Sequence, residues 1–317
     1  MHDVSLHCQA AYAGYLEEET ALLSCTSGGI ATALSKEMIR RGGYVAGVTY
    51  AEDFKSAQYR ITNQREDLEH FKGSKYIEVD KGTVYADVQT LLENGKAVLF
   101  FGLPCTVAAL RAFLKKEYDS LVTVDLICHG PTDARVHRQY VEHLERTYGG
   151  RVVDFSVRRK KGAWMPPYLH AVLDNGQEFM KPFYHTEYGY AFSVMAKKAC
   201  YHCAFRGDKR TGDLMLGDFH GVREEDVFYN PKGVSSILVG SDKGRGLLLD
   251  TPDVRLFETT YERIIEQNRN VIYPRDSAPQ RQKFEALLDS HDLFYAVEHS
   301  KAWTTRIKGW IKRRFRK

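Results

Sequence analysis

The strongest constraint on this chain's fold is a pair of short apolar runs, AVLFFG (97–102) and LVTVDLI (121–127), separated by a stretch with helical spacing. Runs this short and this continuously apolar are typical of strands buried on both faces. Between them, TVAALRAFLKK (106–116) sets Val107, Leu110 and Leu114 on one helical stripe. A strand, a helix and a second strand in that order predict a parallel pair with a right-handed crossover. YVAGVTY (44–50) reads as another strand, and ARVHRQYVEHLERTYGG (134–150) as a helix stopped by Gly149 and Gly150. The first half therefore predicts an α/β fold, a partly parallel sheet with flanking helices.

Beyond residue 150 the pattern changes. VVDFSVR (152–158) and YLHAVLDNGQEFMK (168–181) read as antiparallel strands, with a turn at Asn175-Gly176. A Cys-x-x-Cys segment follows, then DLMLGDFHG (213–221), the strand GVSSILVG (233–240), and sequence expected to be mainly helical to the end. This is an α+β portion followed by a helical C-terminal region. The expected division is 1–95, 96–275 and 276–317.

Two cysteines fall where such a sheet would use them. Cys105 follows the first apolar run in FFGLPC, and Cys128 ends the second in VDLICHG. Ends of parallel strands joined by a helix lie on one edge, the edge where open α/β sheets hold ligands. Cys200 and Cys203, in CYHC, complete a set of four thiols. Four thiolates suit tetrahedral zinc or a [4Fe–4S] cluster, and unligated buried thiols are the third reading. A thioredoxin-like dithiol fits poorly, because this pair does not open a helix after a strand. Cys8 and Cys25 are left as free thiols.

No run approaches about 18 apolar residues, and the acidic N-terminus lacks a signal peptide's basic start and apolar core. A cytoplasmic location is expected, where six cysteines serve as ligands or buried thiols rather than disulfides. The net charge is +4, yet the last 15 residues carry seven Lys/Arg and no acid, so the body is slightly acidic. That distribution does not suggest a nucleic-acid-binding body. The tail itself repeats Trp303, Ile307, Trp310, Ile311 and Phe315 at helical spacing. Residues 303–317 are thus a candidate for peripheral contact with an anionic inner-membrane surface, with packing on the body or an acidic protein partner as alternatives.

An anion site is the other candidate. SCTSGGIATALSKEMIRRGG (24–43) marks a helix with Ser27 as N-cap, Ile30, Leu34 and Met38 as its stripe, and Gly42–Gly43 as its stop. Gly28 and Gly29 after the cap would leave backbone N–H groups open to a phosphate, with plain capping as the competing reading. Neither GxGxxG nor GxxxxGK[ST] occurs. FKGSKYIEV (71–79) gathers Gly73, Ser74, Lys75 and Tyr76, offering a flexible approach, a hydroxyl, a cation and an aromatic face. SVRRKKGAW (156–164) offers four consecutive cations before Trp164, against the commoner fate of a solvated basic loop. RTGDLMLGDFHG (210–221) mixes acids and glycines around a short strand, and reads equally as an ordinary turn–strand–turn.

Taken together, SCTSGG, GGYVAG, GSKY, LFFGLPCT, VDLICHG, RRKKGAW, CYHC and DLMLGDFHG resemble, in order, the motifs of the coenzyme F420 hydrogenase/dehydrogenase beta-subunit family, across roughly residues 10–275. The chain departs from that pattern at Thr106, where the family has Gln, and at His220, where it has Trp. It also begins too late for the N-terminal ferredoxin-like module that many relatives carry.

The resemblance implies FAD and one [4Fe–4S] cluster. It assigns Cys105, Cys128, Cys200 and Cys203 to the cluster, and Ser27, Gly28, Gly29 and Thr32 to the FAD pyrophosphate. Gly73, Ser74, Lys75 and Tyr76 would lie beside the flavin ring, Lys75 stabilising its anionic reduced form. His129 would hydrogen-bond a cluster sulfur. Asp218 joins the cofactor site, and Arg158, Lys160 and Lys161 would meet a cofactor phosphate or an acidic substrate. The implied activity exchanges a hydride with a small-molecule substrate or a deazaflavin-type cofactor, and single electrons with a partner such as ferredoxin. Polysaccharide biosynthesis is one setting of such relatives. The alternatives are a zinc-stapled adaptor and a substrate-free electron-relay subunit of a glycan-assembly complex.

Overall fold

The computed structural model describes residues 8–207 and 210–301. Eleven strands are present among them: β1 (Ala10–Leu16), β2 (Tyr44–Tyr50), β3 (Ala57–Thr62), β4 (Val98–Gly102), β5 (Leu121–Leu126), β6 (Val152–Lys161), β7 (Ala163–Leu173), β8 (Glu178–Pro182), β9 (Leu214–Asp218), β10 (Ser235–Val239) and β11 (Val254–Thr259). Eight form one sheet in the order β11-β1-β10-β9-β5-β4-β2-β3, and β6, β7 and β8 form a second, antiparallel sheet.

The expected parallel pair is there. β2, β4, β5 and β9 run parallel, with the helix Pro104–Leu114 as the crossover between β4 and β5. Along β4, Val98 and Phe100 pack with Val107 and Leu110, while Leu99 packs on the other face with Leu34, Val124 and Leu248. Period-two alternation thus feeds two separate cores, which is why β4 is apolar throughout. Each fully buried side chain of this kind contributes about 1.5–3 kcal/mol. The second sheet packs against the helices Ala134–Tyr148, Glu187–Val194, Arg281–Ser290 and Leu293–Ser300, around Phe155, Leu169, Tyr188 and Phe284.

The parallel strands all end at one edge. β10 is antiparallel and begins there, with Ser235 opposite Asp218, and β1 ends there, with Gly14 opposite Ser235. Strands from the segments 1–95 and 96–275 therefore share one sheet, β1 lying between β10 and β11.

Three elements depart from the sequence expectations. The N-terminal stretch forms β1, 57–62 forms β3, and the expected mainly helical stretch after 240 holds β11. β3 and β11 are edge strands, each with two residues exposed to solvent (Gln58 and Arg60, Arg255 and Glu258), so neither shows a continuous apolar run. The charge run at 158–161 is strand rather than solvated loop, and Lys160 is buried. The tail at 303–317 lies outside the described residues.

Candidate active site

The edge gathers two neighbouring groups of side chains. The first surrounds Ser27. Its hydroxyl donates to the Val234 carbonyl (3.0 Å) and accepts from Ser235 Oγ (3.0 Å). Ser27 is therefore not the N-cap. That position belongs to Gly29, in the left-handed region at φ 76°, with no side-chain cap. The Gly28 N–H is taken by Ser235 Oγ (2.9 Å) and the Gly29 N–H by the Thr26 carbonyl (3.1 Å). The first-turn amides of Ile30 and Ala31 are the ones a helix leaves for an outside acceptor. Thr32 Oγ1 accepts a hydrogen bond from the buried Cys25 thiol (3.3 Å).

Gly28 has a packing role as well. A methyl group there would overlap the Gly14 carbonyl oxygen and stand 2.7 Å from the Ser235 backbone nitrogen. Gly28→Ala is expected to lower the thermal midpoint of the protein even without cofactor; an unchanged midpoint would show that β1 and β10 yield at this point.

Beside Ser27, Arg158 Nη1 donates to Asp218 Oδ2 (2.5 Å) and to the Tyr76 hydroxyl (3.2 Å). Burial acts to raise the Asp218 carboxyl, but the Arg158 guanidinium prevails and holds it below the ordinary range. Lys160 Nζ donates to the carbonyls of Leu22 (2.8 Å) and Ser27 (2.6 Å), and burial pushes its ammonium down to about 8. An ammonium has three donors, so one remains for a ligand. Strand alternation sends Lys161 elsewhere: it is exposed, over the Tyr168 ring.

Gly73 to Tyr76 pass along this group. Gly73 sits at φ 82° beside β6, and Ser74 is half-buried. Lys75 Nζ donates to the carbonyls of His70, Phe71, Lys72 and Gly73 at 2.8–3.2 Å, closing the end of the short helix Leu68–Phe71. Burial pushes it down to about 7, while those carbonyl dipoles favour the proton. In this structure Lys75 orders the loop.

The second group surrounds the cysteines. All six cysteines are free thiols. Cys105 is exposed in the first turn of the helix Pro104–Leu114. Cys128 accepts a hydrogen bond from the Gly130 N–H (3.2 Å), and burial pushes its thiol up to about 11, with Cys200 and Cys105 close enough to add to the effect. Cys200 is raised as well, by burial first and then by Cys105 and Cys203. Its Sγ lies 3.4 Å from where a Cβ on Gly130 would stand. The four predicted cysteines are thus neighbours, although among the described residues no group of three His, Cys, Asp or Glu forms a ready-made single-ion site.

His129 joins the two groups. Asn270 Nδ2 donates to its Nδ1 (3.3 Å), so the ring proton sits on Nε2, and burial pushes the imidazole down to about 4. Its ring is 5.3 Å from Phe192, which stacks on Tyr76 at 4.3 Å. Phe192, Ser235, Asn270, Arg206 and Arg275 were not legible as site residues. Phe192 and Ser235 lie in ordinary helix and strand patterns, and the others lie outside the motifs.

An α/β protein with free thiols, a buried Arg–Asp pair and a helix start on one sheet edge has the makings of a cofactor-dependent redox protein. Residues 11–83 match the N-terminal part of the family described as coenzyme F420 hydrogenase/dehydrogenase, beta subunit, and residues 95–262 match its C-terminal part. The chain belongs to the coenzyme F420 hydrogenase/dehydrogenase beta-subunit family and is an oxidoreductase of that type. A chain of the F420-reducing [NiFe] hydrogenase complex from Methanosarcina barkeri shares its fold, with a TM-score of 0.54 at 16% identity, over 79% of this chain and 82% of that one. No curated protein matches. Among the described residues no helix is long and apolar enough to cross a membrane.

Proposed function

We propose that this protein binds FAD and one [4Fe–4S] cluster at the sheet edge, and couples hydride exchange with a small molecule to single-electron exchange with a partner protein. The carrying observation is the Tyr76–Phe192–His129 ring series, which runs from the Ser27–Arg158–Asp218 group to the cysteines. When bound, a flavin converts two-electron into one-electron chemistry, and a cluster accepts the single electrons.

The residues fit both groups. Cys105, Cys128, Cys200 and Cys203 are free, and Cys128, a thiol at about pKa 11, needs a positive centre to become a ligand. The Gly130 N–H already donates to its sulfur. For the flavin, the first-turn amides after Gly29 and the third donor of Lys160, whose Nζ also holds the Ser27 carbonyl, are groups suited to a pyrophosphate. Arg158 holds Tyr76 in place, and Asp218 keeps Arg158 oriented. His129, neutral above its low pKa, would donate through Nε2 to a sulfur rather than carry charge. The hydride partner is a deazaflavin-type or other small-molecule substrate, and the electron partner a ferredoxin-like protein.

Anaerobic purification followed by iron, sulfide and flavin assays tests the reading. Wild type is expected to carry about four irons per chain and one FAD, and Cys128→Ala to lose the iron while retaining most of the flavin. A colourless wild type, or full iron in Cys128→Ala, would sink it.

A further inference from the structure

Two arginines beside the cysteines are buried without a carboxylate. Arg206 and Arg275 are each 7% exposed, and among the described residues neither forms an ion pair. Arg206 donates to the Asn270 carbonyl, and Asn270 in turn donates to His129. Arg275 donates through Nη2 to the Ser193 carbonyl, its guanidinium lies 5.9 Å from the Phe192 ring, and its buried Nη1 has no partner. Tyr201 and Cys200 bear on Arg275, Arg206 bears on Cys128 and Cys200, and both arginines bear on His129.

A guanidinium cannot shed its proton to escape burial. An unpaired buried charge costs several kcal/mol unless an opposite charge answers it. The buried pairs Arg158–Asp218 and Arg210–Asp125 elsewhere in the molecule obey that rule. Around Arg275 stand a phenol, an imidazole and thiols, and no carboxylate. A cubane held by four thiolates is an anion, and one-electron reduction makes it more negative.

We propose that Arg275, assisted by Arg206, is the built-in counter-charge of the cluster and raises its reduction potential. This rests on the cluster reading above. Arg275 lies outside both family-matched segments. A fixed positive charge at this place favours the state that has gained an electron and resists loss of that electron to other acceptors. The electron itself is the one that the reduced flavin supplies.

The test is an EPR-monitored redox titration of anaerobically purified wild type, Arg275→Met and Arg275→Lys, with iron and sulfide counted in each. Arg275→Met keeps side-chain volume without charge, and its midpoint is expected to fall by about 59 mV, a tenfold change in the reduced-to-oxidised ratio. Arg275→Lys keeps the charge and should stay near wild type. If Arg275→Met loses its cluster while Arg275→Lys retains iron and potential, the counter-charge role is supported by the cluster's need for it. A full cluster with an unchanged midpoint in Arg275→Met overturns the inference alone. An iron-free wild type overturns the cluster reading and this inference with it.

Discussion

Replacing Arg158 with methionine is expected to destabilise the protein by about 3–5 kcal/mol at neutral pH. The Arg158 and Asp218 side chains are only 14% and 11% exposed, so removing the cation leaves a carboxylate in the interior without its partner. Arg158→Met combined with Asp218→Leu should recover most of that loss, because a well-packed apolar pair replaces both charges. In the wild type, Asp218 has a depressed pKa, so its contribution is present above the unfolded value of about 3.9 and is lost as pH falls. In Arg158→Met burial prevails over the smaller lowering by His220 and Ser27, the carboxyl pKa rises, and the local slope reverses: stability increases as pH falls through the raised value. Guanidinium denaturation at several pH values measures both effects. A single variant within about 1 kcal/mol of wild type would show that the pair is solvated in solution.

Between about pH 6.5 and pH 4 the folded protein is expected to lose stability steeply. Burial pushes His129 and His137 down to about 4, whereas an unfolded histidine titrates near 6.5. The unfolded chain therefore binds more protons across that window, and stability falls as pH falls through it. His137 is fully buried; its Nε2 donates to the Phe54 carbonyl (2.6 Å) and its ring stacks on Tyr50. Its share is on the order of 3 kcal/mol by the bottom of the window. His170 acts with the opposite sign. Asp154, with Glu178, raises its pKa, so its contribution is complete below about 6.5 and fades as pH rises through the folded value. Thermal midpoints of wild type and His137→Phe from pH 7 to 4 test the balance. The variant should start lower, having lost a hydrogen bond, yet fall less; parallel curves would show that His137 does not drive the acid transition.

Which features were legible follows from range. The parallel pair β4 and β5, the crossover helix and the hairpin at Asn175-Gly176 are written in local period and turn chemistry, and they stand where the sequence puts them. That Cys105 and Cys128 follow strands ending on one sheet edge was legible, because parallel neighbours joined by a helix end together. Edge strands β3 and β11 were not, since a strand with one solvated face looks like irregular polar sequence. Ser27 illustrates the limit at one residue. A serine before Gly-Gly and a helical stripe reads as a cap, but Val234 and Ser235 at the start of β10, some two hundred residues along the chain, take its hydroxyl and the Gly28 amide instead.

The sequence by itself determined the family and the α/β class, because these depend on residue type, order and local period. The tertiary structure decided how the charges are used. It turned Lys75 into the closure of a short helix, sent Lys160 inward and Lys161 outward, paired Arg158 with Asp218, and set Arg275 without a carboxylate beside Cys200. A charge's role depends on what else is buried within a few ångströms of it, and long-range packing alone supplies those neighbours.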